Sequence, residues 1–206
     1  MDAKSHWENV YESKQPNDVS WYQTHPTLSL QLIEATGIGK QQPILDVGGG
    51  ASALVDHLLD AGFQHVAVLD ISAAALRHAR QRLGPRAATV EWFEADVTNF
   101  TPPHRFALWH DRAVFHFLTD ATDRRHYVRA LNETLAAAGH LIIATFALDG
   151  PPKCSGLHVA RYDAKKLSAE LGPGFELLET REETHVTPWQ TEQKFTYFRF
   201  RRQPTR

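Results

Sequence analysis

Short apolar runs alternate with longer stretches in which apolar residues recur every three or four places, and glycine or proline punctuates most boundaries. Pro43 to Val47 (PILDV) is a brief apolar run ending in glycines, and it predicts a buried first strand. Ala51 to Ala61 carries Leu54, Val55, Leu58 and Leu59 at helical spacing and stops at Gly62. His65 to Ile71 predicts a second strand; Ser72 then caps a helix to Leu83, closed by Gly84-Pro85. Thr89 to Val97 and Phe106 to His110 read as the third and fourth strands. Thr122 to Ala137 reads as a helix with Tyr127, Val128, Leu131 and Leu135 on one face, and His140 to Phe146 as the fifth strand.

After Gly150-Pro151-Pro152 the rhythm changes. A short helix is predicted near Asp163 to Leu171, a Gly172-Pro173-Gly174 break follows, and Phe175 to Val186 and Lys194 to Arg202 then alternate around a turn containing Pro188. Strands separated by helices and closed by a hairpin predict an α/β fold. Its expected form is a doubly wound, seven-stranded, mostly parallel sheet with an antiparallel C-terminal hairpin. The first forty residues, which hold Trp7, Tyr11, Trp21 and Tyr22, precede the first strand and read as a helical lid or cap.

Composition narrows the function classes. A chain of 206 residues, 42% hydrophobic and 22% charged, suits one globular domain with a real core. A net charge of −2 gives no global basic field to recruit nucleic acid or anionic membrane. The cluster Arg199, Arg201, Arg202 and Arg206 is a local exception, read as a solvated edge strand and tail. One cysteine, Cys154, allows no intramolecular disulfide and no Cys-rich zinc site. The polar N-terminus MDAKSHWENVYESKQ lacks the apolar core of a signal peptide, and no apolar run approaches the ~20 residues of a membrane-spanning helix. These features predict a soluble, cytoplasmic protein with neither a nucleic-acid nor a membrane partner. The twelve histidines are scattered without metal-ligand spacing, so no metal is expected, and the pattern specifies no oligomeric state.

The chemistry concentrates at Leu45-Asp46-Val47-Gly48-Gly49-Gly50-Ala51-Ser52. Glycines at a strand-to-helix turn let a ligand approach the backbone, and an acid about 20 residues later, here Asp70, suits ribose hydroxyls. Asp96 ends the third strand, so three acids line the carboxyl ends of three strands. Gly48-x-Gly50-x-x-Ala53 also fits a dinucleotide fingerprint, but Asp46 would repel a pyrophosphate. The same acid favours the ammonium and sulfonium of S-adenosylmethionine.

These residues resemble the class I S-adenosylmethionine-dependent methyltransferases, whose first motif is an acid-x-Gly-x-Gly turn, and the resemblance runs from about Trp7 to Arg202. It implies a Rossmann-like methyltransferase fold and S-adenosylmethionine as cofactor, with S-adenosylhomocysteine as product. Asp46 and Gly48, Gly49 and Gly50 would cradle the methionine part, Asp70 the ribose, and Ile71 the adenine face. Asp96 would accept from the adenine amino group beside Val97, with Trp21 closing over the cofactor. His110, Asp111 and Arg112, at the end of the fourth strand, would act near the methyl group. Tyr22, Phe115, His116, Cys154, Arg161 and Trp189 are the candidate acceptor contacts. Lys153 would lower the pKa of Cys154 if that thiol is reactive. The implied organisation is one domain over 1–206, with a lid at 1–40, a cofactor core at 41–148 and an acceptor side at 149–206.

Two branches compete for the acceptor. Trp7, Tyr11 and Val19-Ser20-Trp21-Tyr22 look like the opening segment of protein-lysine methyltransferases acting on elongation factor or citrate synthase, and Asp111-Arg112-Ala113 fits them. Thiopurine-type enzymes share a similar Asp-Arg pattern and a Gly-Pro-Pro loop, matched by Gly150-Pro151-Pro152. The leading expectation is a small-molecule acceptor, a thiol or other soft nucleophile, with a protein lysine as the alternative. The third reading is a nicotinamide-dependent short-chain reductase using Tyr162 and Lys166, or a nucleotide-binding module without catalysis.

Overall fold

The computed structural model describes residues 2–204; Arg206 of the basic cluster lies outside them. Seven strands form one sheet in the order β3-β2-β1-β4-β5-β9-β8. The parallel strands are β1 (Ile44–Val47), β2 (Val66–Asp70), β3 (Val90–Glu94), β4 (Phe106–Arg112) and β5 (Leu135–Phe146). The hairpin of β8 (Phe175–Val186) and β9 (Glu192–Arg202) extends it, β9 running antiparallel to β5. A two-residue pair, β6 (Lys153–Cys154) and β7 (Leu157–His158), folds the loop after β5. The seven-stranded, mostly parallel sheet with an antiparallel hairpin is the arrangement expected from the sequence.

Alternation along each strand divides the core into two layers. Ile44, Val66, Val68, Leu108 and Ile142 face α2 (Thr27–Glu34), α3 (Leu54–Asp60) and α4 (Ala73–Leu83). Leu45, Val47, Leu69, Trp109 and Leu141 face the opposite way, against α5 (Ala121–Thr134) and α6 (Ala164–Leu171). The helix expected to reach Ala137 stops at Thr134. Leu135 instead pairs with Phe106 as the first residue of β5, and 136–139 bulge from the ladder with Ala138 at φ 58°.

The N-terminal segment supplies α1 (Ala3–Ser13) and α2. Glu8 on α1 accepts from the Ser72 hydroxyl at 2.8 Å and from the Ala74 backbone N–H, so its carboxylate caps α4. His78 meets the Tyr11 carbonyl at 2.9 Å and fastens the far end of α1. No helix among the described residues is long and apolar enough to cross a membrane.

On the α5 side, Trp109 Nε1 donates to the Tyr127 hydroxyl at 2.9 Å, and that hydroxyl donates to Asp111 at 2.6 Å. Tyr127→Phe strands a buried indole N–H and removes a donor from a buried carboxylate. Denaturant titration should show a loss of about 1–3 kcal/mol at an unchanged slope.

Candidate active site

The carboxyl ends of β1, β2 and β4 open onto two connected hollows. The larger, about 270 Å³, runs from Asp96 and Val97 past Asp70, Ile71 and Gly48 to Arg112, Cys154 and Phe195. The narrower cleft, about 50 Å³, lies between the glycine turn and the N-terminal segment and is lined by Asp46, Gly49, His110, Ser29 and Tyr22. Tyr11, Trp21, Val47, Gly48 and Arg112 border both.

The turn after β1 allows no side chains. Gly48 has φ 66°, and a Cβ there would run into Val114; one on Gly49 would meet Asp46, and one on Gly50 would meet Asp70. Asp46 is buried, with Oδ1 2.7 Å from His110 Nδ1 and Oδ2 without any partner. Asp70 accepts from the Ser72 N–H at 2.8 Å. Burial pushes its carboxyl up to about 7, and the neighbouring Asp46 and Glu8 carboxylates add to the rise against backbone donors at Ser72 and Ile71. Asp96 accepts from the Thr98 N–H and hydroxyl, both at 2.8 Å, and borders the far end of the larger hollow.

Trp21 hangs over the centre. Its indole N–H donates to the Tyr11 hydroxyl at 3.2 Å, and its ring meets Trp7 edge-on, which in turn meets Phe117. Arg112 ties this segment down, donating to the Trp21 carbonyl at 2.9 Å and the Tyr197 hydroxyl at 2.7 Å. It also pairs with Glu183 at 3.4 Å and stacks on the Phe195 ring. Arg112 is therefore a brace that also borders both hollows.

Several expected positions fall elsewhere. Asp111 follows His110 along β4, so its side chain leaves the opposite face. There it is fully buried, accepting from Val114 N–H, Phe115 N–H and Tyr127. That geometry corrects its expected place near the methyl group. Phe115 and His116 belong to a 3₁₀ turn (Phe115–Phe117) that folds both inward, Phe115 onto Tyr127 and Tyr162, His116 onto Phe146. Neither lines either hollow. Arg161 donates to the Gly150 carbonyl and borders neither hollow, and Trp189 sits 58% exposed on the β8–β9 turn. Cys154 does border the larger hollow, but burial pushes its thiol up to about 11 against the lowering effects of Ser20 and Arg112, contrary to the lowered value expected from Lys153. Tyr162 is buried with its hydroxyl unpartnered, and Lys166 lies over its ring, so this pair presents no reductase site to the crevice.

Other residues of the crevice were not singled out by sequence. Ser29, in the middle of α2, lies 2.9 Å from His110 Nε2 and carries no local signal. Glu8, Phe117, Phe195, Tyr197 and Glu183 come from remote segments. Trp7 and Tyr11 were visible only as aromatic residues of the expected lid.

Residues 44–139 match the family described as a methyltransferase domain. The match takes in a little under half of the chain, from β1 into β5, and marks a methyltransferase domain in a chain with the Rossmann-like methyltransferase fold. The "eEF1A lysine and N-terminal methyltransferase" of Mus musculus is 26% identical over 144 residues, covering 68% of this chain and 20% of the mouse protein. The chain thus spans about a fifth of the length of the curated relatives it matches. Among solved structures, one concerned with conversion of a disulfide bond into a thioacetal group during echinomycin biosynthesis superposes with a TM-score of 0.80 at 20% identity. It covers 98% of this chain and 92% of that chain. The N-methyltransferase NodS from Bradyrhizobium japonicum WM9, in complex with S-adenosyl-L-homocysteine, gives 0.73 at 20% identity, covering 98% and 99%.

The crevice suits S-adenosylmethionine chemically. The unpartnered Asp46 oxygen calls for a donor or cation, the glycine turn is a cradle that any Cβ would fill, and Ile71 and Val97 provide apolar walls.

Asp70 generates a pH prediction. Its folded-state pKa lies above the ordinary carboxylate value, so its contribution is fully present below about pH 4 and is lost as pH rises through about 7. Asp70→Asn should therefore melt above the ligand-free wild type at pH 8, the gap closing towards pH 4; thermal melts across that range check it.

Proposed function

We propose that this chain is an S-adenosylmethionine-dependent methyltransferase acting on a small-molecule acceptor that bears a thiol or another soft nucleophile. The carrying observation is the makeup of the larger hollow beyond Gly48. Its polar groups there are the Tyr11 hydroxyl, raised by burial, the Cys154 thiol, also raised by burial, and the Arg112 guanidinium. The acids Asp70, Asp96 and Asp123 belong to its other end, and His110 faces the narrow cleft. An acceptor in this half meets neither a carboxylate nor an imidazole to take its proton. A thiol with a reference pKa near 8.5 is already partly ionised at neutral pH, whereas a lysine near 10.4 must first shed a proton.

In this reading the cofactor supplies a methyl group already activated on a sulfonium, and the protein works by binding and alignment. Asp46 and Gly48 to Gly50 hold the amino-acid end, Asp70 the ribose, and Ile71, Asp96 and Val97 the adenine. Trp21, Tyr11, Trp7 and Phe117 keep water from the reacting atoms, and Arg112, its charge paired with Glu183, holds Trp21 in place beside them. Residues 1–40, 41–148 and 149–206 serve as lid, cofactor core and acceptor side of one catalytic unit.

The protein-lysine reading draws support from the similarity to the mouse protein. Against it stands the aromatic cover over the larger hollow, which a lysine side chain on a folded protein must pass. Incubation with methyl-labelled S-adenosylmethionine, lysate proteins and a panel of small thiols separates the two. Label should appear in low-mass products; label confined to protein would overturn the small-molecule assignment.

A further inference from the structure

Asp46 and His110 are register partners on the adjacent strands β1 and β4, so both side chains leave the sheet on the face covered by α2. His110 Nδ1 is 2.7 Å from Asp46 Oδ1, its Nε2 is 2.9 Å from Ser29 Oγ, and all three residues are buried. The order Ser, His, Asp matches a hydrolytic triad. Ser29, however, is wholly buried at the wall of the narrow cleft, whose volume of about 50 Å³ leaves no room for a substrate carbonyl beside its hydroxyl. The row ends in something else. Asp46 Oδ2, the atom beyond it, is buried, has no partner, and lies against Gly49 in the narrow cleft.

A buried carboxylate oxygen without a donor is costly, and nearby protein groups do not supply one. We infer that Ser29 and His110 are positioning residues for the amino-acid end of the cofactor. The Ser29 hydroxyl donates to Nε2 and fixes the imidazole as the tautomer protonated on Nδ1. Nδ1–H donates to Oδ1 and pins the carboxylate. Oδ2 stays aimed at the cleft, ready to accept from an ammonium. The inference rests on the reading that Asp46 binds that end of the cofactor. It adds that a carboxylate alone is insufficient: without the imidazole donor, Asp46 is free to rotate away from the cleft, and the acceptor is lost.

Calorimetric titration of S-adenosylhomocysteine into the full chain, with thermal melts of each variant, tests both layers separately. Asp46→Asn probes the underlying reading and should weaken binding about tenfold or more. His110→Ala should weaken binding on the order of 10- to 100-fold. His110→Asn places an amide N–H at the same distance along the side chain as Nδ1 and should recover most of that loss. His110→Gln sets its donor one atom further out and should not. If Asp46→Asn binds like wild type, the reading of Asp46 fails and the relay falls with it. If Asp46→Asn loses affinity while His110→Ala does not, or while Asn and Gln at 110 are equally weak, the relay is overturned and Asp46 retains its role. Should His110→Ala fail to fold, the Asn and Gln pair still decides.

Discussion

The close approach of the β1 turn to the ends of β2 and β4 governs the rest of the crevice. Side chains at Gly48, Gly49 and Gly50 would strike Val114, Asp46 and Asp70 respectively, so bare backbone forms the floor. That approach brings two buried acids near each other, and Asp46 contributes to the rise of Asp70. Burying like charges is unfavourable unless partners compensate. The protein compensates partly, with His110 on one acid and the Ser72 N–H on the other. A ligand with donors at both places would meet the remaining demand, and its occupancy of the crevice would then be coupled to stability.

The N-terminal segment is bound into the same design. Glu8 caps α4 immediately after Asp70, His78 holds the Tyr11 carbonyl, and Arg112 holds the Trp21 carbonyl. From the hairpin, His185 meets the Ser20 carbonyl at 2.7 Å and Glu183 accepts from Gln23 at 2.9 Å. The half of the larger hollow beyond Gly48 is thus assembled from the N-terminal segment, β4, the β6–β7 loop and β9. Under the proposed function, change in any one of these would alter the acceptor side while the glycine floor stays put.

The strands were legible because buried parallel strands are short continuous apolar runs closed by glycine, and PILDV and HVAVLDI have that form. The turn motif was legible because its chemistry is local. What failed was non-local. Leu135-Ala-Ala-Ala continues a helical pattern, yet pairing of Leu135 with Phe106 draws it into β5. His110 and Asp111 looked equivalent as neighbours in sequence, although a period of two puts them on opposite faces of the sheet. Phe115 and His116 follow β4 as an acceptor loop would, but the 3₁₀ turn buries both. Ser29 became visible only when α2 packed over β1 and β4, since one serine among leucines carries no pattern of its own.

The central claim is that a cationic, adenosine-bearing cofactor occupies the crevice at Asp46, Gly48 and Asp70. Calorimetry with S-adenosylmethionine and S-adenosylhomocysteine, with NADH and NADPH as controls, tests it most directly. The account predicts micromolar binding of the first two and none of the nicotinamides. Binding of a nicotinamide nucleotide without S-adenosylmethionine would contradict it.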